Sequence, residues 1–257
     1  MKQVNKLIII FLLIVIALLG YAYFAGKNLE TKAYTGLNHI KEVMLTLESA
    51  GKEGDVPSYP NVTAMYETNG NKIDTLYENS DLIAKVTLKN RSQKINTICS
   101  EVEVLDVYKG DMNIKETKIQ MYEPFRIEHG ISEEDLLYVF GACLPMRTQE
   151  EYIVFLRRED NGNYNLVSGL YGKYHIKEDA YLTTDGNNIS VDMILHHDMI
   201  DFKMSDLKKR QYNQEIMAGS LSEEMALDAL DSFSVLEKLK ETRANIRSQF
   251  SAYGIAS

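Results

Sequence analysis

Glu151–Ile176 reads EYIVFLRREDNGNYNLVSGLYGKYHI, and this stretch decides the fold. Tyr152 to Leu156 is a continuous apolar run with β-branched and aromatic residues, the length and composition of a strand buried on both faces. Asp160-Asn161-Gly162-Asn163 follows as a hairpin turn, because asparagine and glycine tolerate positive φ. Tyr164 to Leu170 then returns the chain as a second strand, and Gly172 with Tyr174 to Ile176 marks a third, short one.

Upstream, the same period-two reading extends back to Leu76. Leu82 to Leu88 places Leu82, Ala84, Val86 and Leu88 on one face. Ile98 to Tyr108 places Ile98, Val102 and Val104 together, and the adjacent Val104-Leu105 followed by Val107 predicts a bulge that shifts the register. Lys109-Gly110-Asp111 supplies a turn, Thr117 to Tyr122 alternates with Ile119 and Met121, and Pro124 closes that strand. Short strands at this spacing predict a sandwich or a small closed barrel.

Downstream, Tyr181 to Leu195 reads as one more hairpin across Asp185-Gly186-Asn187, with Ile189, Val191 and Met193 alternating. Beyond Ser205 the pattern turns helical through Met204, Leu207, Tyr212 and Ile216. Ser220-Leu221-Ser222-Glu223 has capping-box spacing. After it, Met225, Leu227, Leu230, Phe233, Leu236, Leu239 and Ile246 form an apolar stripe. That stripe suits packing on the barrel, and equally a partner-binding or self-associating helix over 220–250.

At the amino-terminal side, Gly36 to Gly51 carries Leu37, Ile40, Val43, Met44 and Leu47 at helical spacing and reads as a short amphipathic helix. Gly51 to Gly70, with Pro57 and Pro60, reads as a loop. Before these, Leu7 to Phe24 runs eighteen residues without a charge. With Ala25 and Gly26 it reaches about the ~30 Å of a bilayer hydrocarbon core. Lys2 and Lys6 precede it, and Tyr21, Tyr23 and Phe24 cluster at its far end, where aromatic rings favour the interface. The reading is a single-pass anchor with the amino terminus inside and the rest extracytoplasmic. A cleaved signal peptide, with Gly20-Tyr21-Ala22 as the cleavage region, is the alternative, and would make the protein secreted.

The expected organisation is therefore a cytoplasmic stub at 1–6, a transmembrane anchor at 7–26, and a helical spacer and linker at 27–74. A small barrel at 75–195 and a helical segment at 196–257 follow, so the class is mainly β with helices, α+β. The chain of 257 residues is 45% hydrophobic, enough for one core. Its net charge of −9 becomes −11 beyond the anchor, since Lys2 and Lys6 are the only charges before Lys27. That balance argues against nucleic acid as a partner.

Four segments carry a resemblance: YENSDLIAKVTL at Tyr77–Leu88, SEVEVLDVYKGD at Ser100–Asp111, TKIQMYE at Thr117–Glu123, and the opening stretch. In this order they resemble bacterial envelope proteins with an OB-like β-barrel, distantly similar to netrin and metalloproteinase-inhibitor modules. The positions that match are Ser80, Asp81, Leu82 and Ile83, then Tyr108, Lys109 and Gly110, then Tyr152, Phe155 and Leu156. Ala84-Lys85 departs from the group, which carries a glycine before its valine. The inhibitors' zinc-chelating amino-terminal cysteine has no counterpart here. The resemblance implies a fold and a place in the envelope, and does not imply inhibition.

The two cysteines, Cys99 and Cys143, lie in the part read as extracytoplasmic, where an even pair invites a disulfide. Such a bond would close a loop of about 45 residues and contribute roughly 3–4 kcal/mol; two separate buried thiols are the alternative. His196-His197-Asp198 is the one local cluster of metal-ligand types. Neighbours on a strand face opposite ways, so the two histidines would not share an ion there. His39, His129 and His175 stand alone. The Gly-x-Ser-x-Gly elbow, the zinc motif His-Glu-x-x-His and the glycine-rich phosphate loop are all missing. Glu133-Glu134-Asp135 after Ser132, like Glu223-Glu224, reads as charge at a helix start. Tyr152, Tyr164, Tyr171 and Tyr174 would pack in the core or, if exposed, bind sugar or peptide.

No catalytic residue, cofactor or metal ligand is assigned on these grounds. The function expected is a non-catalytic binding or accessory module of the cell envelope, with an envelope protein, peptide or glycan as partner. The alternatives are a cell-wall or protein-modifying hydrolase, and a structural protein that forms homo-oligomers through 220–250.

Overall fold

The computed structural model describes residues 14–16, 18–20, 36–37, 40, 42–46, 72–94, 97–129, 135–140, 142–184, 189–203 and 237–256. In chain order the elements are β1 (Glu42–Thr46), α1 (Ile73–Asn79), β2 (Leu82–Lys94), β3 (Thr97–Lys109), β4 (Lys118–Tyr122), β5 (Phe125–His129) and β6 (Asp135–Phe140). They continue with β7 (Glu151–Arg158), β8 (Tyr164–Leu166), β9 (Lys173–His175), β10 (Tyr181–Thr184), α2 (Val191–His196) and β11 (Met199–Phe202). Residues 237–248 are helical and are called α3.

Five strands close into a barrel in the order β2-β3-β4-β8-β7, with β7 pairing back onto β2. The β4–β8 pair is parallel and every other pair in the ring is antiparallel. Leu82, Ala84, Val86 and Leu88 point inward as their alternation predicts, and meet Val102, Val104, Val107, Met121, Tyr152, Val154 and Leu156. The predicted bulge is present: Val86 faces Val104 and Lys85 faces Asp106, so Leu105 has no partner. Skipping that residue keeps Val104 and Val107 on the same inner face.

β7 is the central strand. Residues Tyr152 to Leu156 are all fully buried, because Ile153 and Phe155 face a second core outside the barrel. That core takes Ile73 and Leu76 from α1, and Leu239, Ile246, Phe250 and Ile255 from the carboxy-terminal part. Phe155, Tyr174 and Phe250 pack ring against ring there, with centroids 5.1–6.2 Å apart. The expected hairpin joins β7 to β8 through Gly162, whose φ is 84°, with Asn163 N–H donating to Asn161 Oδ1 at 2.9 Å.

Two small sheets flank the barrel. β1 runs parallel to β6, which pairs antiparallel with β5. β10 and β11 are parallel and joined through α2.

Four expectations are corrected. Residues 42–46, read as part of an amphipathic helix in the spacer, form strand β1; a short apolar run carries both periods, and its neighbour β6 decides between them. Leu76 to Asn79, read as strand, belong to α1, whose Ile73 and Leu76 are one turn apart on the buried face. Asp135 opens strand β6 rather than a helix. Ile189 to Met193, read as strand, lead into α2, because the Ser190 hydroxyl accepts from Met193 N–H at 3.2 Å and caps a helix there. The segment 196–257 is accordingly not all helical, since it contains β11.

Several expectations lie outside the described residues: the loop at 51–70, Glu133-Glu134, the 185–187 turn, the helix near 204–216 and the capping box at 220–223. No described helix is long and apolar enough to cross a membrane. Within the run Leu7 to Phe24, residues 14–16 and 18–20 are helical, and Ile14, Ile16, Leu18 and Leu19 are all more than half exposed.

Candidate functional site

The groups with the most chemistry in them are buried. Along β4, Ile119 and Met121 face the barrel interior, and the next position of that period is Glu123, which is 1% exposed. Its Oε1 accepts from Ser100 Oγ at 2.6 Å and from Arg91 Nε and Nη2 at 3.3 and 3.2 Å. Its Oε2 accepts from Met146 N–H at 2.6 Å and lies 3.8 Å from Lys173 Nζ. Arg91 and Lys173 are themselves buried, and donate to the carbonyls of Met146 and Leu144. Burial pushes the Glu123 carboxyl up, but the Arg91 and Lys173 charges and the bonds from Ser100 and Met146 outweigh it, holding it below its ordinary value.

Asp198, just before β11, makes a second knot. Arg147 forks onto it at 3.0 and 2.9 Å, Tyr152 OH donates at 2.7 Å, and Ala180 N–H donates at 2.8 Å. Burial raises this carboxyl too, yet the Ala180 and Tyr152 bonds, the Lys173 charge and the Arg147 bond lower it overall. Tyr152 OH accepts in turn from Arg147 N–H at 2.9 Å. The third knot is Asp179, gripped by Arg243 of α3 at 2.7 and 3.1 Å and approached by Arg247 at 3.4 Å. Arg243 is 2% exposed, lies over the Tyr174 ring at 4.2 Å, and donates to the carbonyls of Leu170 and Lys173.

His175 connects the knots. Its Nε2 sits 3.0 Å from Glu150 Oε2, its backbone N–H donates to Asp179 Oδ1, and its ring meets Tyr152 edge-on. The network therefore stitches the barrel end, the 142–150 segment, β9, β10 and α3 into one piece.

A general base needs a lone pair that reaches substrate. Glu123, Asp198 and Asp179 are each 8% exposed or less, and their oxygens are occupied by protein donors. This arrangement fastens elements together; it does not present a reactive group. Comparison of the chain with protein-family models and with curated proteins gives no match. The functional reading rests on the chain's own geometry.

Nine of the ten positions of the resemblance meet at one end of the barrel, while Tyr152 lies further along β7, opposite Val86, with its hydroxyl on Asp198. Leu82 pairs with Leu156 and Ile83 with Phe155 and Lys109. Asp81 N–H donates to Leu156 O at 2.8 Å, and Asp81 Oδ2 accepts from Arg158 N–H at 2.8 Å. Lys109 Nζ caps the end of α1 by donating to Tyr77 O at 2.5 Å, while Ser80 Oγ donates to Leu76 O at 2.6 Å. Gly110 has φ 107°, and a Cβ there would stand 2.6 Å from Asp81 O, so this close approach requires glycine. Tyr108 OH donates to Ala256 O at 2.8 Å, tying the carboxy-terminal residues to the same end. These residues hold α1 against the barrel mouth.

Cys99 and Cys143 are both buried thiols. Cys99 Sγ donates to Gln120 Oε1 at 3.2 Å, and burial pushes the Cys143 thiol above its ordinary value. Of the tyrosines, Tyr152, Tyr171 and Tyr174 are buried in core positions, while Tyr164 is half-buried. On the barrel's outer face the charges pair: Lys118 with Glu101 at 2.8 Å, Lys89 with Glu103 at 2.6 Å, and Lys115 with Asp106 at 3.0 Å. Among the described residues no three His, Cys, Asp or Glu side chains gather to hold an ion.

The sequence reading missed the buried network, although two signals were present. Glu123 continues the inward period of Ile119 and Met121. Arg243 stands four residues after Leu239 and three before Ile246, on the apolar face of α3. A charge at an inward position implies a buried partner.

Proposed function

We propose that this chain is a membrane-tethered, extracytoplasmic accessory module, whose OB-like barrel binds an envelope protein or peptide and does not catalyse a reaction. The observation that carries the reading is the saturation of the interior. Glu123, Asp198 and Asp179 are closed off by arginine, lysine and backbone donors, so the polar core serves rigidity. The strand order β2-β3-β4-β8-β7 with its parallel β4–β8 pair supports the OB-like assignment. The gathering of nine of the ten resemblance positions at one barrel end supports kinship with the envelope group. In OB-folds the second and third strands present the ligand face; here these are β3 and β4. Glu101 and Glu103 of β3 pair with Lys118 of β4 and Lys89 of the adjoining β2, a charge-balanced polar surface that suits a protein or peptide and disfavours polyanions. The tether reading is supported by Leu7 to Phe24 and by the exposure of Ile14, Ile16, Leu18 and Leu19.

The test is a photo-reactive residue placed at Lys118 in the full chain, irradiated in intact cells and followed by mass spectrometry. The expected result is a reproducible adduct with a defined envelope protein or peptide, competed by excess purified chain. Absence of any adduct from Lys118 and from Lys89, or an adduct with nucleic acid, would dismiss the reading.

A further inference from the structure

The turn Asp160-Asn161-Gly162-Asn163 sets an electrophile, the side-chain carbonyl carbon of Asn161, beside a nucleophile, the amide nitrogen of Gly162. Asp160, Asn161 and Gly162 are exposed at the tip of the β7–β8 hairpin. A Cβ at position 162 would meet nothing within 4 Å, so the space beside that nitrogen is open. Two hydrogen bonds occupy the reacting groups. Gly162 N–H donates to Glu159 O at 2.9 Å, and Asn163 N–H donates to Asn161 Oδ1 at 2.9 Å. With Glu159 N–H on Asn163 O at 2.8 Å and Gly162 at φ 84°, the geometry is that of a type I turn closed by a glycine bulge. The Gly162 amide cannot lose its proton and swing onto Asn161 Cγ while it is bonded to Glu159 O.

We propose that Asn161 is a self-modification site, converting to isoaspartate and aspartate at a rate gated by opening of the hairpin. On opening, the Gly162 nitrogen loses its proton and bonds to Asn161 Cγ; the Cγ–Nδ2 bond breaks, and ammonia leaves with that proton. Water then opens the cyclic imide. Attack at Cγ restores the main chain with an aspartate, and attack at the main-chain carbonyl leaves the chain running through Cβ and Cγ as isoaspartate. One water enters for each ammonia that leaves, and nothing is oxidised or reduced. The position gives the change a consequence. Met121 pairs with Tyr164 and Tyr122 with Asn165 in the short parallel seam of β4 and β8 that closes the ring. Asn163 Nδ2 fastens the hairpin to that seam by donating to Tyr122 OH at 2.8 Å. Isoaspartate adds a methylene to the main chain of the turn and sets a new carboxylate beside Glu159 and Asp160, so the seam loosens.

The test is incubation of the full chain in detergent at mildly alkaline pH, followed by peptide mapping with chromatography that separates isoaspartate from aspartate. Conversion at position 161 is expected in the folded chain, slower than in the same chain unfolded in urea by about 10-fold, the factor that two net hydrogen bonds set. Asn163→Ala and Tyr122→Phe each remove the anchor at β4 and are expected to speed it several-fold. Unchanged circular dichroism separates a looser hairpin from a lost fold. Asn161→Ser is expected to abolish the change. Amide exchange is expected to rise in β4 and β8 of the aged wild type and to stay level in aged Asn161→Ser. Equal rates in folded and unfolded chain would overturn the gate, as would both anchor variants converting at the wild-type rate. A folded chain that keeps Asn161 intact would overturn the site, and unchanged exchange in a converted chain would overturn its effect on the seam.

Discussion

Glu123→Ala is expected to destabilise the protein by about 3–5 kcal/mol, the cost of removing one member of a buried ion pair. The substitution strands Arg91 and Lys173, both buried, and frees the hydroxyl of Ser100 and the Met146 N–H inside the barrel end. Domains of this kind hold ~5–15 kcal/mol in all, so the loss is a large share of the total. Urea unfolding at neutral pH measures it. Glu123→Gln is expected to recover little, because its amide would direct donors at donors. Arg91→Met, Glu123→Leu and Lys173→Met combined are expected to recover most of it, since an apolar set of similar volume has no charge to desolvate.

The same residue gives an acid limb. Its carboxyl titrates lower in the folded protein than in the unfolded chain. The resulting stabilisation is therefore complete above the unfolded glutamate value of ~4.3 and disappears as pH falls below that towards the folded value. Asp198 is lowered too and acts in the same direction from an unfolded value of ~3.9. The difference between wild type and Glu123→Ala is expected to shrink on acidification through this window. A gap that stays constant from neutral pH to below both values would refute the assignment.

Arg243→Ala is expected to cost a similar ~3–5 kcal/mol, with a second, local signature. Arg243 is a buried bolt that passes from α3 through the outer core to Asp179 and to the carbonyls of Leu170 and Lys173. Without it Asp179 keeps the His175 N–H at 2.9 Å and the longer contact to Arg247, and α3 retains Leu239 and Ile246 as its apolar hold beside the Arg247 bonds to the carbonyls of His175 and Lys177. Amide exchange is therefore expected to rise in 237–248 before it rises in β2, β3 and β7. Arg243→Lys is expected to rescue weakly, because an ammonium cannot span a carboxylate and two carbonyls in one plane. Uniform exchange across barrel and helix, or a loss below ~1 kcal/mol as for an exposed pair, would contradict this role.

The barrel was legible because its code is local. Leu82, Ala84, Val86 and Leu88 alternate, Leu105 breaks the period where the bulge falls, and Asn161-Gly162 turns the chain. Where the reading failed, the competing periods were both present in a few residues. Val43 and Met44 fit helix or strand until β6 lies beside them, and Ser190 converts an alternating triplet into a capped helix. The charged network was harder to see, because Glu123, Lys173, Asp198 and Arg243 are separated by up to 120 residues of sequence, and only the closed barrel brings them together. The family-like positions were visible one by one. The task common to all of them but Tyr152, holding α1 and the carboxy-terminal residues at one barrel mouth, appears only when Asp81, Lys109, Gly110 and Leu156 are side by side.

The proposal of a sealed domain held outside the membrane is tested most directly by Met112→Cys. Met112 is 61% exposed in the turn after β3, and the native thiols at 99 and 143 are buried and stay silent. Intact cells carrying the variant are treated with a membrane-impermeant maleimide and compared with lysed cells and with wild type. The account predicts full labelling of Cys-substituted chain before lysis, in the membrane fraction, and none of wild type in either state. Labelling only after lysis would place the domain on the other side of the membrane and contradict the account.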